Sequence, residues 1–161
     1  MILSHSASSE VKLITPNIVQ KNFKGVKDKV VLYNSQLGED WLNDYIYFRR
    51  SFSSLVEVYS CTDNRIEMEY IEGEIINFRT CSKKVLHQVL LFTYDLMKAS
   101  IIFCDTHGYY FVHGDMNPTN FIQTKKGIRL IEPDGFRRYN KLDMNQWVIH
   151  QMRFSTRLMN V

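Results

Sequence analysis

Apolar residues in this chain recur at two different periods, and the switches between them mark out its elements. Over residues 11–33 the runs V-K-L-I, N-I-V-Q-K-N-F and K-V-V-L-Y are separated by Thr-Pro-Asn and Lys-Gly-Val-Lys-Asp, which predicts antiparallel strands joined by turns. The Ser-rich residues 1–10 before them are expected to be a frayed end. Residues 38–52 shift to the helical period, with Glu39 and Asp40 in the first turn and Arg49 and Arg50 in the last, where the helix dipole favours each charge. Trp41, Leu42, Tyr45, Ile46 and Phe48 give that helix a broad apolar face. The runs L-V-E-V-Y-S-C and I-E-M-E-Y-I then alternate around the polar T-D-N-R as a hairpin.

Beyond residue 82 the helical period dominates. Leu86, Leu90, Thr93, Met97 and Ile101 fall on one stripe of a long helix over residues 83–104, whose aromatic residues and Met97 are expected to be core. Met144, Val148, Met152, Ser155 and Met159 form a second stripe, with Trp147 beside it, and predict a terminal amphipathic helix over residues 141–161.

Composition narrows the class without naming a function. A chain of 161 residues, 45% hydrophobic, makes one ordinary domain or two small lobes. Its net charge of +3 is scattered, which argues against a nucleic-acid stripe or a polybasic membrane segment. The longest apolar run, around Leu90 and Leu91, is far shorter than a membrane span, and the first ten residues lack the basic start and apolar centre of a signal peptide. A cytoplasmic protein is therefore expected. Cys61, Cys81 and Cys104 are odd in number and far apart, so they propose neither a disulfide framework nor a zinc site.

The chemistry is concentrated in residues 111–137, F-V-H-G-D-M-N-P-T-N-F-I-Q-T-K-K-G-I-R-L-I-E-P-D-G-F-R. His113, Asp115 and Asn120 stand in the spacing H-x-D-x-x-x-x-N, and an apolar strand that ends in acids follows. Phosphoryl transfer needs a carboxylate near the attacking hydroxyl and oxygen ligands for a metal on the nucleotide phosphates. Asp115 suits the first role. Asn120 offers a neutral oxygen to the metal, and Glu132 or Asp134 a charged one. Pro118 predicts a tight, non-helical loop between them. The bland alternative is a polar β-turn in which His113 is a satisfied structural residue and Asp115 a turn former.

His113-Gly114-Asp115 through Asn120-Phe121-Ile122 resembles the catalytic loop of the protein-kinase-like superfamily. The H-G-D form is similar to that of aminoglycoside phosphotransferases, RIO-type kinases and bacterial lipopolysaccharide-core sugar kinases. The resemblance implies an α+β, compact two-lobed protein-kinase-like fold: a small antiparallel-sheet N-lobe over residues 1–70 and a shortened helical C-lobe over residues 71–161. It implies ATP and Mg2+ as cofactors, Asp115 as catalytic carboxylate, His113 as a brace of the loop, and Asn120 with Asp134 or Glu132 as metal ligands.

Laid against the family's L-I-D-F-G pattern, L-I-E-P-D-G matches at Glu132 without a gap and at Asp134 with a two-residue shift. Asp134 is preferred, with Glu132 as a second ligand or its replacement. Lys21 in I-V-Q-K-N-F resembles the strand lysine that holds nucleotide phosphates, and Glu39 the helix acid that holds the lysine. Residues 69–73, E-Y-I-E-G, are similar to the hinge, where backbone groups around Glu69 and Ile71 would meet an adenine edge and Gly73 would permit the turn. No glycine-rich loop precedes Lys21, and the chain after Phe136 is short. The expected function is phosphotransfer from ATP to a hydroxyl of a sugar, another small molecule or a protein. The alternative is a catalytically inactive kinase-like binding module that acts through protein contacts.

Overall fold

The computed structural model describes residues 1–5, 9–24 and 37–139. The expected strand K-V-V-L-Y and the expected terminal helix lie outside these residues. The chain divides into two compact units, Met1–Glu72 and Gly73–Val161.

The first unit is built on a five-stranded antiparallel sheet. Its strands are β1 (Ile2–His5), β2 (Ser9–Thr15), β3 (Ile18–Phe23), β4 (Val58–Thr62) and β5 (Arg65–Glu69), in the spatial order β1-β2-β3-β5-β4. Two tight turns set its register. Pro16 and Asn17 join β2 to β3, and Asp63 and Asn64 join β4 to β5. The described part of the Ser-rich start, residues 1–5 and 9–10, is not frayed. Ile2 pairs with Lys12 and His5 with Glu10, and the Leu13 N–H donates to the Met1 carbonyl at 2.8 Å. The open edge of β2 offers a row of backbone donors and acceptors, and satisfying them outweighs the weak strand preference of serine.

Helix α1 (Glu39–Ser51) lies against this sheet through Trp41, Asp44, Tyr45 and Phe48. Trp41 and Tyr45, one turn apart, stack with centroids at 5.1 Å. The Tyr45 hydroxyl donates to the Val56 carbonyl at 2.8 Å and the Arg49 Nε–H to the Leu55 carbonyl at 3.2 Å, which ties α1 to the segment leading into β4. Ile46, expected on the apolar face, is exposed. The buried stripe instead takes in Asp44, which lies at its edge, beside Phe48 on the helical wheel.

The second unit holds β6 (Glu74–Ile75), α2 (Lys83–His107), β7 (Tyr110–His113), β8 (Phe121–Thr124), β9 (Gly127–Leu130) and β10 (Phe136–Tyr139). Strands β6, β8 and β9 form a small antiparallel sheet in that order, and β7 pairs with β10 as a ribbon. Gly73 does not carry a left-handed turn. It is glycine because a Cβ there would stand within 3.0 Å of the Gln123 carbonyl oxygen and the Ile122 side chain, so β6 could not reach β8.

Helix α2 is defined at both ends. The Ser82 hydroxyl accepts the Val85 N–H at 3.3 Å, and Gly108, at φ 76°, closes the last turn with its N–H on the Cys104 carbonyl. Its buried stripe is Val85, Val89, Phe92, Thr93, Leu96, Ala99, Ser100 and Phe103. Of the stripe expected from periodicity only Thr93 is buried, Ile101 is exposed, and Met97 and two leucines are half-buried. Both stripes keep the helical period, and burial selects the one carrying Ala99 and Ser100, whose small side chains let β7 come close. The Ser100 hydroxyl shares its proton between the Phe111 carbonyl at 2.9 Å and the Leu96 carbonyl at 3.0 Å. By length and composition α2 is apolar enough to cross a membrane. Its buried stripe packs on β7 and β9, as in a core helix.

Aromatic rings fill the space beneath the ribbon. Phe111 stacks on Phe103 at 5.5 Å and on Phe136 at 5.2 Å, while Phe92 meets Phe121 edge-on at 5.7 Å. Cys61, Cys81 and Cys104 are free thiols.

Candidate active site

The loop from His113 to Asn120 leaves the end of β7 and enters β8, and both of its ends are buried. His113 is 1% exposed, its ring perpendicular to that of Phe136 with centroids 5.1 Å apart. Nδ1 accepts the Asp115 N–H at 3.3 Å, so the ring proton sits on Nε2, which donates to the Glu132 carbonyl at 2.8 Å. Burial pushes the His113 pKa below its ordinary value, and the Glu132 carbonyl and the charges of Asp134 and Asp115 only partly oppose this. His113 is therefore a neutral brace between the loop and the turn after β9.

That turn is a single 3-10 turn, Pro133–Gly135, in which the Gly135 N–H donates to the Glu132 carbonyl at 3.2 Å. Gly135 returns a bond to the loop by accepting the Gly114 N–H at 2.8 Å. Its lack of a side chain is required, since a Cβ would stand within 3.0 Å of three atoms of the His113 ring. Sequence reasoning did not single out Gly135 for this role. The signal was a glycine following directly on the candidate metal acid.

At the other end, Asn120 is 4% exposed. Its Nδ2 donates to the Asp115 carbonyl at 2.9 Å and lies 3.3 Å from Asp115 Oδ2. The Asn120 carbonyl accepts the Ile131 N–H at 2.9 Å, which fastens the loop to the end of β9. Pro118 does not exclude helical geometry as expected. It opens the 3-10 turn Pro118–Asn120, where a missing N–H costs nothing, and the Asn117 side chain caps it by accepting the Thr119 N–H at 3.3 Å. Asp115 itself is exposed, carried between two buried anchors.

With Nδ2 turned to Asp115, the Asn120 Oδ1 is directed away, and its hydrogen-bond contact is the Thr119 hydroxyl at 3.5 Å. A neutral amide oxygen beside carboxylates is a hard donor set that suits magnesium. Among the described residues no group of three or more His, Cys, Asp or Glu side chains gathers, so protein oxygens alone would leave much of the ion's shell to phosphates and water. Of the two acids after β9, Asp134 acts on His113 through its charge and Glu132 through its backbone carbonyl.

The remaining expected residues lie in the first unit. Lys21 is buried in β3 between Val11 and Ile66, with Nζ 5.4 Å from the centre of the Phe23 ring. Glu39 is exposed in the first turn of α1 and makes no ion pair among the described residues. The acid that α1 buries is Asp44. The Glu69 N–H donates to the Glu57 carbonyl at 2.8 Å and its carboxylate accepts the Glu57 N–H at 3.1 Å, while the Tyr70 N–H is held by the Asn17 carbonyl. Ile71, next in the chain, is half-buried.

No protein-family model and no curated protein matches this sequence. Solved structures do match. One is the gentamicin complex of APH(2'')-IIa, 14% identical with a TM-score of 0.58, over 86% of this chain and 66% of that one. Another is the aminoglycoside phosphotransferase APH(2'')-Ib bound to ADP, 16% identical with a TM-score of 0.56, over 85% and 66%. A third is the GDP complex of aminoglycoside 2'-phosphotransferase-IIIa, 9% identical with a TM-score of 0.54, over 86% and 67%. The chain thus has the protein-kinase-like fold, and its matched part spans about two thirds of the length of these structures.

Proposed function

We propose that this protein is a phosphotransferase that moves the γ-phosphate of ATP to a hydroxyl group. The observation that carries the reading is the hold of buried Asn120 on Asp115 through both its backbone carbonyl and its carboxylate, with neutral His113 fixing the other side of the loop. An exposed carboxylate on so constrained a loop is presented to an incoming molecule at little entropic cost.

In the transfer, the acceptor oxygen forms a bond to the γ-phosphorus as the bond from that phosphorus to the β–γ bridging oxygen breaks, and ADP leaves. Asp115 orients the acceptor hydroxyl and takes its proton late, then releases it to solvent. Lys21 is assigned to the nucleotide phosphates, and an acid of α1, Glu39 or the buried Asp44, to holding Lys21. Asn120 Oδ1 and the Asp134 carboxylate would hold magnesium, which supplies neutralisation of phosphate charge. His113 stays out of the proton transfer, because an imidazole that donates to a carbonyl and accepts from an amide has no nitrogen left for it. The acceptor is a sugar, another small molecule or a protein, and the cytoplasm is the expected setting.

One observation favours the binding-module reading. The β2–β3 connection is the two-residue turn Pro16–Asn17, without glycine and therefore without the flexible backbone that cradles phosphates in typical kinases. Thermal unfolding with and without ATP and magnesium, followed by an ATP-turnover assay, separates the two. Stabilisation of about 2.7 kcal/mol at a hundredfold excess of nucleotide over its Kd, with turnover, supports the phosphotransferase. No stabilisation at millimolar ATP supports the binding module.

A further inference from the structure

We propose that the outward stripe of α2 is a docking surface for a second copy of this chain, whose own α2 lies on it antiparallel. The inference goes beyond the phosphotransferase reading and does not depend on it.

On the side of α2 turned away from β7 and β9, four large apolar side chains face out between residues 91 and 102. Leu91 is 50% exposed, Tyr94 57%, Ile101 44% and Ile102 61%. Such residues need no explanation when scattered singly, but gathered on one stripe they form the kind of patch that a partner covers. Exposed Asp95 and Lys98 lie in the middle of the same stripe.

The charges and the apolar residues are arranged so that the stripe complements itself. Leu91, Asp95, Lys98 and Ile102 follow one another at intervals of four, three and four, the spacing of a seam along which two helices meet. In an antiparallel pair whose two-fold axis passes between residues 96 and 97, residues equidistant from that point face each other. Leu91 then meets Ile102 of the second copy and Asp95 meets its Lys98, each twice, as an isologous interface requires. On one flank of the seam Tyr94 comes beside Ile101 of the second copy, also twice.

Other arrangements lose this match. A parallel pair would set Lys98 on Lys98 and Asp95 on Asp95, and like charges so placed repel. Sliding the antiparallel pair by seven residues sets Lys98 on Ile102 in one direction and Asp95 on Leu91 in the other. In the single chain Lys98 rests on its own helix, with Nζ 3.7 Å from Asp95 Oδ1 and 5.0 Å from the centre of the Tyr94 ring. These are contacts between exposed side chains, so turning Lys98 towards a second copy forfeits little. A charged pair in the seam costs some affinity and fixes direction and register. The same pair argues against lipid as the occupant, although the length and apolar content of α2 would suit a membrane, because Asp95 and Lys98 would be stranded in hydrocarbon.

Sedimentation equilibrium of the full chain tests the proposal. A seam about 18 Å long is at the small end of specific interfaces, so a monomer–dimer equilibrium with a Kd of about 10–100 µM is expected. Ile102→Gln should weaken it at least about tenfold, since each copy loses an apolar contact with Leu91. Lys98→Asp should do the same by bringing acid against acid. Asp95→Lys combined with Lys98→Asp restores opposite charges across the seam and should return the Kd to within about threefold of the parent. Ile14→Gln, at an exposed residue of the other unit, should leave the Kd unchanged. Should Ile102→Gln fail to fold, Leu91→Gln carries the same comparison. A chain that stays monomeric up to about 300 µM overturns the proposal, and so does a dimer indifferent to Ile102→Gln. A dimer that Ile102→Gln weakens, but that the double charge exchange does not recover, overturns the antiparallel register and the proposal with it.

Discussion

Gly135 leaves open the space that the His113 ring fills, and a methyl group at residue 135 would fall within 3.0 Å of Nε2, Cε1 and Cδ2 of that ring. The two residues also share the Glu132 carbonyl, which accepts from the His113 ring and from the Gly135 N–H. Gly135→Ala is therefore expected to destabilise the fold by about 1–3 kcal/mol, as overpacking of a dense core does, and to lower transfer by displacing the loop. Chemical denaturation of Gly135→Ala, His113→Ala and the double variant checks this. The double variant should be more stable than the sum of the single losses, because the clash is gone when the ring is gone.

Asp115→Asn should leave the fold and ATP binding intact and lower phosphate transfer by about 10²- to 10⁴-fold, the usual contribution of a positioned base. Asp115 is exposed, and asparagine keeps an oxygen to receive the Asn120 Nδ2–H. Transfer at the parent rate by the purified variant would reduce Asp115 to a turn former.

Acid should weaken the protein through His113. Its pKa in the folded state lies below the ordinary 6.5, chiefly because burial disfavours the imidazolium. Below that ordinary value the unfolded chain takes up a proton that the folded ring does not. Stability present above pH 6.5 is therefore lost as the pH falls, by up to about 1.4 kcal/mol per pH unit until the folded pKa is reached. Urea midpoints for the parent and His113→Gln at pH 7.5 and pH 5.5 test this. The parent should lose more between the two than the variant, and parallel losses would count against a buried neutral ring.

Asp134→Ala and Glu132→Ala should separate in magnesium-dependent nucleotide binding, measured by calorimetry. Loss of Asp134 is expected to abolish the dependence on magnesium, and loss of the Glu132 side chain to leave most of it. Equal, mild effects would mean that neither carboxylate holds the ion.

The fold was largely legible because each helix and hairpin has a period of its own, yet its misreadings share one cause. Leu86, Leu90, Met97 and Ile101 keep the helical period as faithfully as Val85, Val89, Leu96 and Phe103, and only the approach of β7 to Ala99 and Ser100 decides which stripe is buried. Likewise the ends of α1 drew attention to its first-turn acids, while the burial of Asp44 depends on which face meets the sheet. The site was legible where its residues lie close in sequence, from His113 to Asn120. Gly135 was not, because the reason for a glycine there is a ring 22 positions earlier in the chain. Strand β1 was hidden for a related reason, since its partner is backbone, which leaves no mark on composition.

The brace of the loop takes hold of main-chain atoms: the carbonyls of Glu132, Gly135 and Asp115 are what His113, Gly114 and Asn120 grip. Such a grip does not register which side chain a carbonyl belongs to. Mutation at residue 132 can then proceed without loosening the site, whereas residue 135 has no such latitude. Relatives of this chain should accordingly vary at 132 and keep glycine at 135, so a search that demands a fixed acid at 132 would pass over sites that work in the same way.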